Sequence, residues 1–240
     1  MRRILQAVAL MGVCATPALA SGEPAIIPTQ RVLGNLMITS GYDLGPAFRG
    51  TRTTRAQYSF FLDLEYSWFG WSAGVLETFA SDGRSHQTEL FASYSYPFGY
   101  VDVTTGMQGF INQDTGHRDS FELFVECRTE PIQGLNIYAG QFLEVTHQVH
   151  SYTELKVSHR FRPIRERLSI EPNAIFAFGN YHSHNFAADH VQIGFDSELR
   201  VTTRMSVGIN AGIVIPLDGS KAVVGSSPAA LFGCRISWHF

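Results

Sequence analysis

The sequence predicts an all-β protein, an up-and-down antiparallel transmembrane β-barrel of about twelve strands. Three observations carry that expectation. Segment after segment alternates apolar and polar residues with a period of two, as a strand does when only one of its faces meets apolar surroundings. The connections alternate between tight turns and longer polar loops. Aromatic residues gather at both ends of the segments, where strands would cross the two membrane interfaces.

The chain opens with Met1-Arg2-Arg3, a mostly apolar run from Ile4 to Ala15, and Ala18-Leu19-Ala20 before Ser21. That order of basic, apolar and small residues reads as a secretory signal peptide over residues 1–20. Cys14 follows Met11-Gly12-Val13 and lacks the small residue that lipid modification would require before it. Residues 21–31, with Pro24 and Pro28, read as an extended periplasmic lead-in, and residues 32–240 as the barrel domain. Loss of Arg2 and Arg3 takes the formal charge from -3 to -5, which argues against a nucleic-acid partner. No later stretch approaches the roughly 18 consecutive apolar residues of a membrane-spanning helix.

Strands are expected at 32–43, 55–68, 70–80, 86–96, 100–112, 119–129, 135–146, 151–161, 168–179, 191–202, 205–215 and 226–240. The second is the clearest: Phe60, Leu62, Leu64, Tyr66 and Trp68 alternate with Ser59, Phe61, Asp63, Glu65 and Ser67. The third is ambiguous in register, because Leu76 and Glu77 break the alternation. Gln141 intrudes on the apolar face of the seventh, where a bulge would accommodate it. The last sets Phe232, Cys234, Ile236, Trp238 and Phe240 on one face, with Gly233, Arg235, Ser237 and His239 between them. Cys127 and Cys234 both fall on apolar faces and read as small apolar side chains rather than a disulfide framework.

Tight connections follow the even strands, at 68–70, 97–99, 131–134, 163–167 and 203–204. Longer ones follow the odd strands, at 44–54, 81–85, 113–118, 147–150, 180–190 and 216–228. An even strand count puts both termini at the short-turn, periplasmic end. Near that end lie Tyr66, Trp68, Phe69, Trp71, Tyr96, Phe98, Tyr100, Phe161, Trp238 and Phe240; near the other lie Tyr42, Phe79, Tyr152, Phe178, Tyr181 and Phe186.

A soluble barrel with an apolar interior would show the same period. About twelve strands rather than eight, lengths beyond the ~9–11 residues that cross a bilayer at a tilt, and aromatic strand ends favour the membrane form. Lipid then lies outside and the charged face inside. The expected lumen carries Asp63, Glu65, Glu89, Asp102, Glu122, Glu126, Glu144, Glu154, Glu171, Asp196 and Glu198. Facing them are Arg55, Arg128, Lys156, Arg160 and Arg200. Charges in a narrow lumen must be hydrated or paired, and the excess of acids favours cations if the lumen conducts.

Seven of nine histidines lie at the long-loop end, and His182, His184 and His190 are the candidates for a transition-metal site. A polar loop rim, with His as one loop residue among several, accounts for them more simply, and no cofactor is expected. Ser183 beside His182 or His184, and His147 with Ser151, supply residue types for a lipid hydrolase but match no such motif. There is no Gly-rich phosphate loop and no zinc-type cysteine spacing.

The closing strand resembles that of bacterial outer-membrane barrels, and the resemblance implies that Phe232, Cys234, Ile236, Trp238 and Phe240 are an assembly signal read by the barrel assembly machinery. Ser40-Gly41-Tyr42 followed by Phe48-Arg49-Gly50 resembles the opening of small porins of the TorF type, with Leu44 to Ala47 as extra residues between the halves. That resemblance implies a porin-like role with no assigned solute. The function expected is therefore a narrow porin or small-solute channel in the outer membrane of a Gram-negative-type bacterium, with membrane lipid around it. A surface barrel binding partners through its loops is the alternative, and a lipid-acting barrel hydrolase the third reading.

Overall fold

The computed structural model describes residues 35–44, 58–80, 86–113, 119–146, 150–164, 167–180, 186–217 and 228–240. The expected signal peptide, the lead-in, Arg55, Phe48-Arg49-Gly50, His147, Tyr181, His182, Ser183 and His184 lie outside the described residues.

The described chain is strands joined in sequence: β1 (Asn35–Leu44), β2 (Tyr58–Trp68), β3 (Trp71–Ala80), β4 (His86–Phe98), β5 (Val101–Asn112), β6 (Ser120–Ile132), β7 (Leu135–Glu144), β8 (His150–His159), β9 (Phe161–Ile164), β10 (Leu168–Gly179), β11 (Ala187–Arg200), β12 (Met205–Pro216) and β13 (Ala229–His239). Each pairs antiparallel with its neighbours, and β1 pairs with β13 from Met37↔His239 to Leu44↔Phe232. The Phe240 amide donates to the Leu36 carbonyl at 2.9 Å at the foot of that seam. The sheet is thus closed on itself, since β10 pairs with both β8 and β11. β8 and β9 are two parts of one stave, so the barrel has twelve staves.

The break in the eighth stave has a local cause. β8 pairs with β10 as far as Ser158↔Asn173, and β9 resumes at Phe161↔Ile170. Pro172 lies in the gap, and proline has no N–H to give to a ladder. At the short-turn end, Phe69 and Gly70 both take positive φ, 47° and 82°, as a type I′ hairpin between right-twisted strands requires. Gly99 and Gly134 supply positive φ at two further short turns.

Register decides which face each residue occupies. Phe60, Leu62, Leu64, Tyr66 and Trp68 form one exposed apolar row on β2, and cross-strand pairing carries the same face round the ring. Leu90, Met107, Leu123, Ile137, Leu155, Ile170, Ile193, Ile209 and Phe232 continue this outward belt, all exposed. At the short-turn end Tyr66, Trp68, Phe69, Trp71, Tyr96, Phe98, Tyr100, Phe161 and Phe240 are exposed. At the other end Phe79 and Phe186 are exposed, with Phe186 edge-on to Phe178 at 5.2 Å.

Two expectations need correction, and one ambiguity is resolved. Tyr152 does not belong to the outer aromatic rim: paired with Phe142 and Gly179, it faces inward and is 1% exposed. No bulge occurs at Gln141, since β6 and β7 pair without interruption from Glu122↔Glu144 to Thr129↔Ile137. Gln141 stays on the outward face because its amide is satisfied there. It donates to the Tyr152 carbonyl at 3.1 Å and accepts from Thr153 Oγ1 at 2.6 Å. In β3 the register runs unbroken against both neighbours, so Leu76 turns inward and Glu77 outward.

A bulge appears instead in β11. Pairing steps from Ala177↔His190 to Phe178↔Ala188 and leaves Asp189 as the extra residue. Neighbours in a regular strand point to opposite faces. The bulge lets Asp189 and His190 meet, with Oδ2 and Nδ1 2.9 Å apart and both residues buried. The buried apolar cluster, Phe124, Phe142, Tyr152 and Ala177, lies on the inward face of β6, β7, β8 and β10 toward the long-loop end.

Candidate functional site

Below that cluster, toward the short turns, the inner wall encloses a cavity of about 820 Å³. It forms because period-two strands must send alternate residues inward, and on β6 to β11 those residues are long and charged. Glu126 and Arg128 come from β6, Glu154 and Lys156 from β8, Glu171 from β10, and Asp196, Glu198 and Arg200 from β11. Arg160 enters from the break between β8 and β9.

The carboxylates in this cavity are held by cross-strand partners. Glu171 and Asp196 are directly opposed on β10 and β11, a repulsive arrangement for two like charges unless cations intervene. Ser158 Oγ donates to Glu171 Oε1 at 2.6 Å, and Arg160 Nε to Oε2 at 2.8 Å. Asp196 accepts from Asn173 Nδ2 at 2.9 Å, with Lys156 Nζ at 3.9 Å and Arg235 Nη1 at 4.0 Å. Tyr138 donates its hydroxyl to Glu126 at 2.9 Å. Arg235 passes across Gly208, where an added Cβ would sit 2.8 Å from the guanidinium Nε.

Seven cationic side chains line the cavity against five carboxylates. Three cations are engaged by Glu171 and Asp196. Among the described residues no ion pair holds Arg128, Arg162, Arg167 or Arg200. Their fixed forks of donors therefore point to a guest that accepts hydrogen bonds and carries negative charge.

The remaining inward acids are elsewhere. Asp63 and Glu65 share the inward face of β2, Glu89 that of β4, and Asp102 that of β5 opposite Arg128. Glu122 and Glu144 oppose each other across β6 and β7 near the aromatic cluster, and Gln108 donates to Glu122 at 2.5 Å. Sequence reading missed Arg235, Arg162 and Arg167 as cavity residues. Arg235 was legible, since it alternates with the outward Cys234 and Ile236; Arg162 and Arg167 flank a short turn, where period two gives no facing. Those three reverse the charge balance of this part of the lumen relative to a count along the strands.

His190 is bonded to Asp189 and stacks on Tyr152 with ring centroids 6.5 Å apart. Among the described residues no three His, Cys, Asp or Glu side chains are grouped as metal ligands. Cys127 and Cys234 lie on the outward faces of β6 and β13, and no disulfide joins them. Ser151 is outward on β8, its amide bonded to Asn180 Oδ1 at 2.6 Å. Phe232, Cys234, Ile236 and Trp238 share the outward face of β13.

No family model and no curated protein matches the sequence. Solved structures do match the fold. A KdgM porin in complex with disordered oligogalacturonate aligns with TM-score 0.61 at 11% identity, over 85% of this chain and 99% of that one. A NanC porin aligns with TM-score 0.58 at 11% identity, over 85% and 98%. The translocator domain of the autotransporter NalP from Neisseria meningitidis aligns with TM-score 0.54 at 10% identity, over 100% and 96%. This chain has the fold of those proteins, a closed all-antiparallel barrel of twelve staves.

Proposed function

We propose that this protein is a narrow outer-membrane porin for small polar solutes that carry an anionic group. The observation that carries the reading is the lumen cavity with its unpaired guanidinium groups at Arg128, Arg162, Arg167 and Arg200. The exposed apolar belt, flanked by aromatics and matched to strands of 10 to 14 residues in eleven of the twelve staves, supports a bilayer-spanning barrel. Structural likeness to KdgM and NanC porins supports a transport role, and the oligogalacturonate in the KdgM complex is an acidic sugar. In this chain the anion preference rests on its own arginines. It applies to this cavity; along the whole inward face of the described strands the acids still outnumber the bases.

The same reading places both termini in the periplasm and the longer loops outside. It also makes the outward row Phe232, Cys234, Ile236, Trp238 and Phe240 the segment that the assembly machinery recognises. The direct test of the transport reading is block of single-channel current by added solute. Dicarboxylates should interrupt the current, whereas neutral polyols of equal size should not. Current indifferent to both, or interrupted equally by both, would overturn the solute class.

A further inference from the structure

Among the described residues, one carboxylate stands mid-wall on the outer face, where a bilayer calls for apolar side chains. Glu77 is outward on β3, with Leu62 of β2 on one side and Thr88 of β4 on the other. Its carboxylate accepts a hydrogen bond from His86 Nε2. Thr88 Oγ1 lies 3.0 Å from both carboxylate oxygens. Phe79 stacks on the His86 ring with centroids 4.4 Å apart, and Phe60 leans against Phe79 at 6.3 Å. Glu77 and His86 keep 28% and 29% of their side-chain surface exposed. The cluster is thus open to whatever surrounds the barrel.

Its depth is set by the strands. Glu77 precedes the end of β3 at Ala80 by three residues, roughly 10 Å along the strand, and His86 opens β4. Both lie at the long-loop end, so on the outer-membrane reading the cluster sits in the outer leaflet, near the depth of the acyl linkages. A carboxylate offers about four acceptor positions. His86 fills one, and the single Thr88 proton fills one more. In hydrocarbon the remainder stay unsatisfied, which is costly.

We propose that Glu77, His86 and Thr88 form a lipid-binding site for an outer-leaflet lipid that bears hydroxyl and amide N–H donors among its acyl linkages. An ester-linked diacyl phospholipid presents only carbonyl acceptors at that depth and leaves the carboxylate unanswered. A lipid with 3-hydroxyacyl chains in amide linkage presents donors to Glu77, while its chains lie along Phe60, Leu62 and Phe79. The proposal rests on the outer-membrane reading for its orientation, but not on transport.

The test is competitive retention on the folded full-length barrel, read by native mass spectrometry. The competing probes are lipid A, which is amide-linked and hydroxyacylated, and phosphatidylglycerol, which is anionic but ester-linked. Wild type should retain lipid A about tenfold over phosphatidylglycerol, the worth of one charge-assisted hydrogen bond. Glu77→Leu, which makes the wall more apolar and keeps the barrel fold, should erase that preference; Glu89→Gln, in the lumen, should keep it. Equal retention of both lipids by wild type, or a preference that survives Glu77→Leu, would overturn the site. A wild-type dimer that Glu77→Leu renders monomeric would also overturn it, by assigning the cluster to a second copy of the chain. Cell fractionation separates the two failures, because protein missing from the outer membrane overturns the location first.

Discussion

At the scale of single residues, three phenylalanines on the polar faces are the instructive ones. Phe61, Phe91 and Phe124 point into the lumen, and each is directly opposite a glycine of the neighbouring strand: Gly41, Gly74 and Gly106. An added Cβ at Gly106 would lie 2.5 Å from both the Ala92 carbonyl oxygen and the Phe124 ring, so the ring lies flat where a side chain would be. Gly109, on the outward face of the same strand, would meet only Phe121 at 3.9 Å. Gly106→Val should therefore destabilise the barrel by about 2–3 kcal/mol through overpacking, and Gly109→Ala by less than about 0.5 kcal/mol. Urea unfolding followed by tryptophan fluorescence would measure both. The sequence shows those phenylalanines as intrusions on a polar face. Their explanation needs the cross-strand partner, which period-two patterning leaves unspecified.

At the scale of elements, most of the barrel was legible. Strands were expected at 55–68, 86–96 and 205–215, and they run at Tyr58–Trp68, His86–Phe98 and Met205–Pro216. The legibility has a physical source: a wall with an apolar outer face and a polar lumen imposes alternation on every stave. What stayed hidden were the places where pairing departs from the pattern. The bulge at Asp189 and the start of β11 at Ala187 fall in a stretch read as loop from 180 to 190. The break in the eighth stave is caused by Pro172, on the neighbouring strand, and so leaves no mark in its own sequence. Turns were more readable, since Gly70 sits in one with φ 82°. Its added Cβ would lie 2.7 Å from the Ser95 carbonyl oxygen. Gly70→Ala should cost about 1–2 kcal/mol and lower the midpoint of urea unfolding. At the seam, removal of Phe240 should deplete folded, heat-modifiable barrel from outer membranes while leaving the exported chain in the periplasm. Undiminished assembly would contradict its role as a signal.

At the scale of the molecule, strand order sets a wall of acids opposite the mixed wall that holds most of the cavity's arginines. In a ring of twelve staves, β2 to β4 face the eighth to tenth staves across the lumen. Asp63, Glu65 and Glu89 lie on the first wall; the second carries Lys156, Arg160, Arg162, Arg167 and Arg200 against Glu154, Glu171, Asp196 and Glu198. A field across the lumen would orient a solute with its anionic end toward the arginines, and low-dielectric walls would concentrate that field. The fold made this arrangement; no local stretch of sequence contains it. Planar-bilayer recording of the purified barrel in asymmetric potassium chloride tests the account most directly. Wild type should give discrete conductance steps with a reversal potential displaced toward chloride, and the variant Arg128→Gln/Arg167→Gln/Arg200→Gln should lose that displacement. A heat-modifiable, intact barrel that conducts nothing, or one whose reversal potential is the same with and without the three arginines, would contradict it.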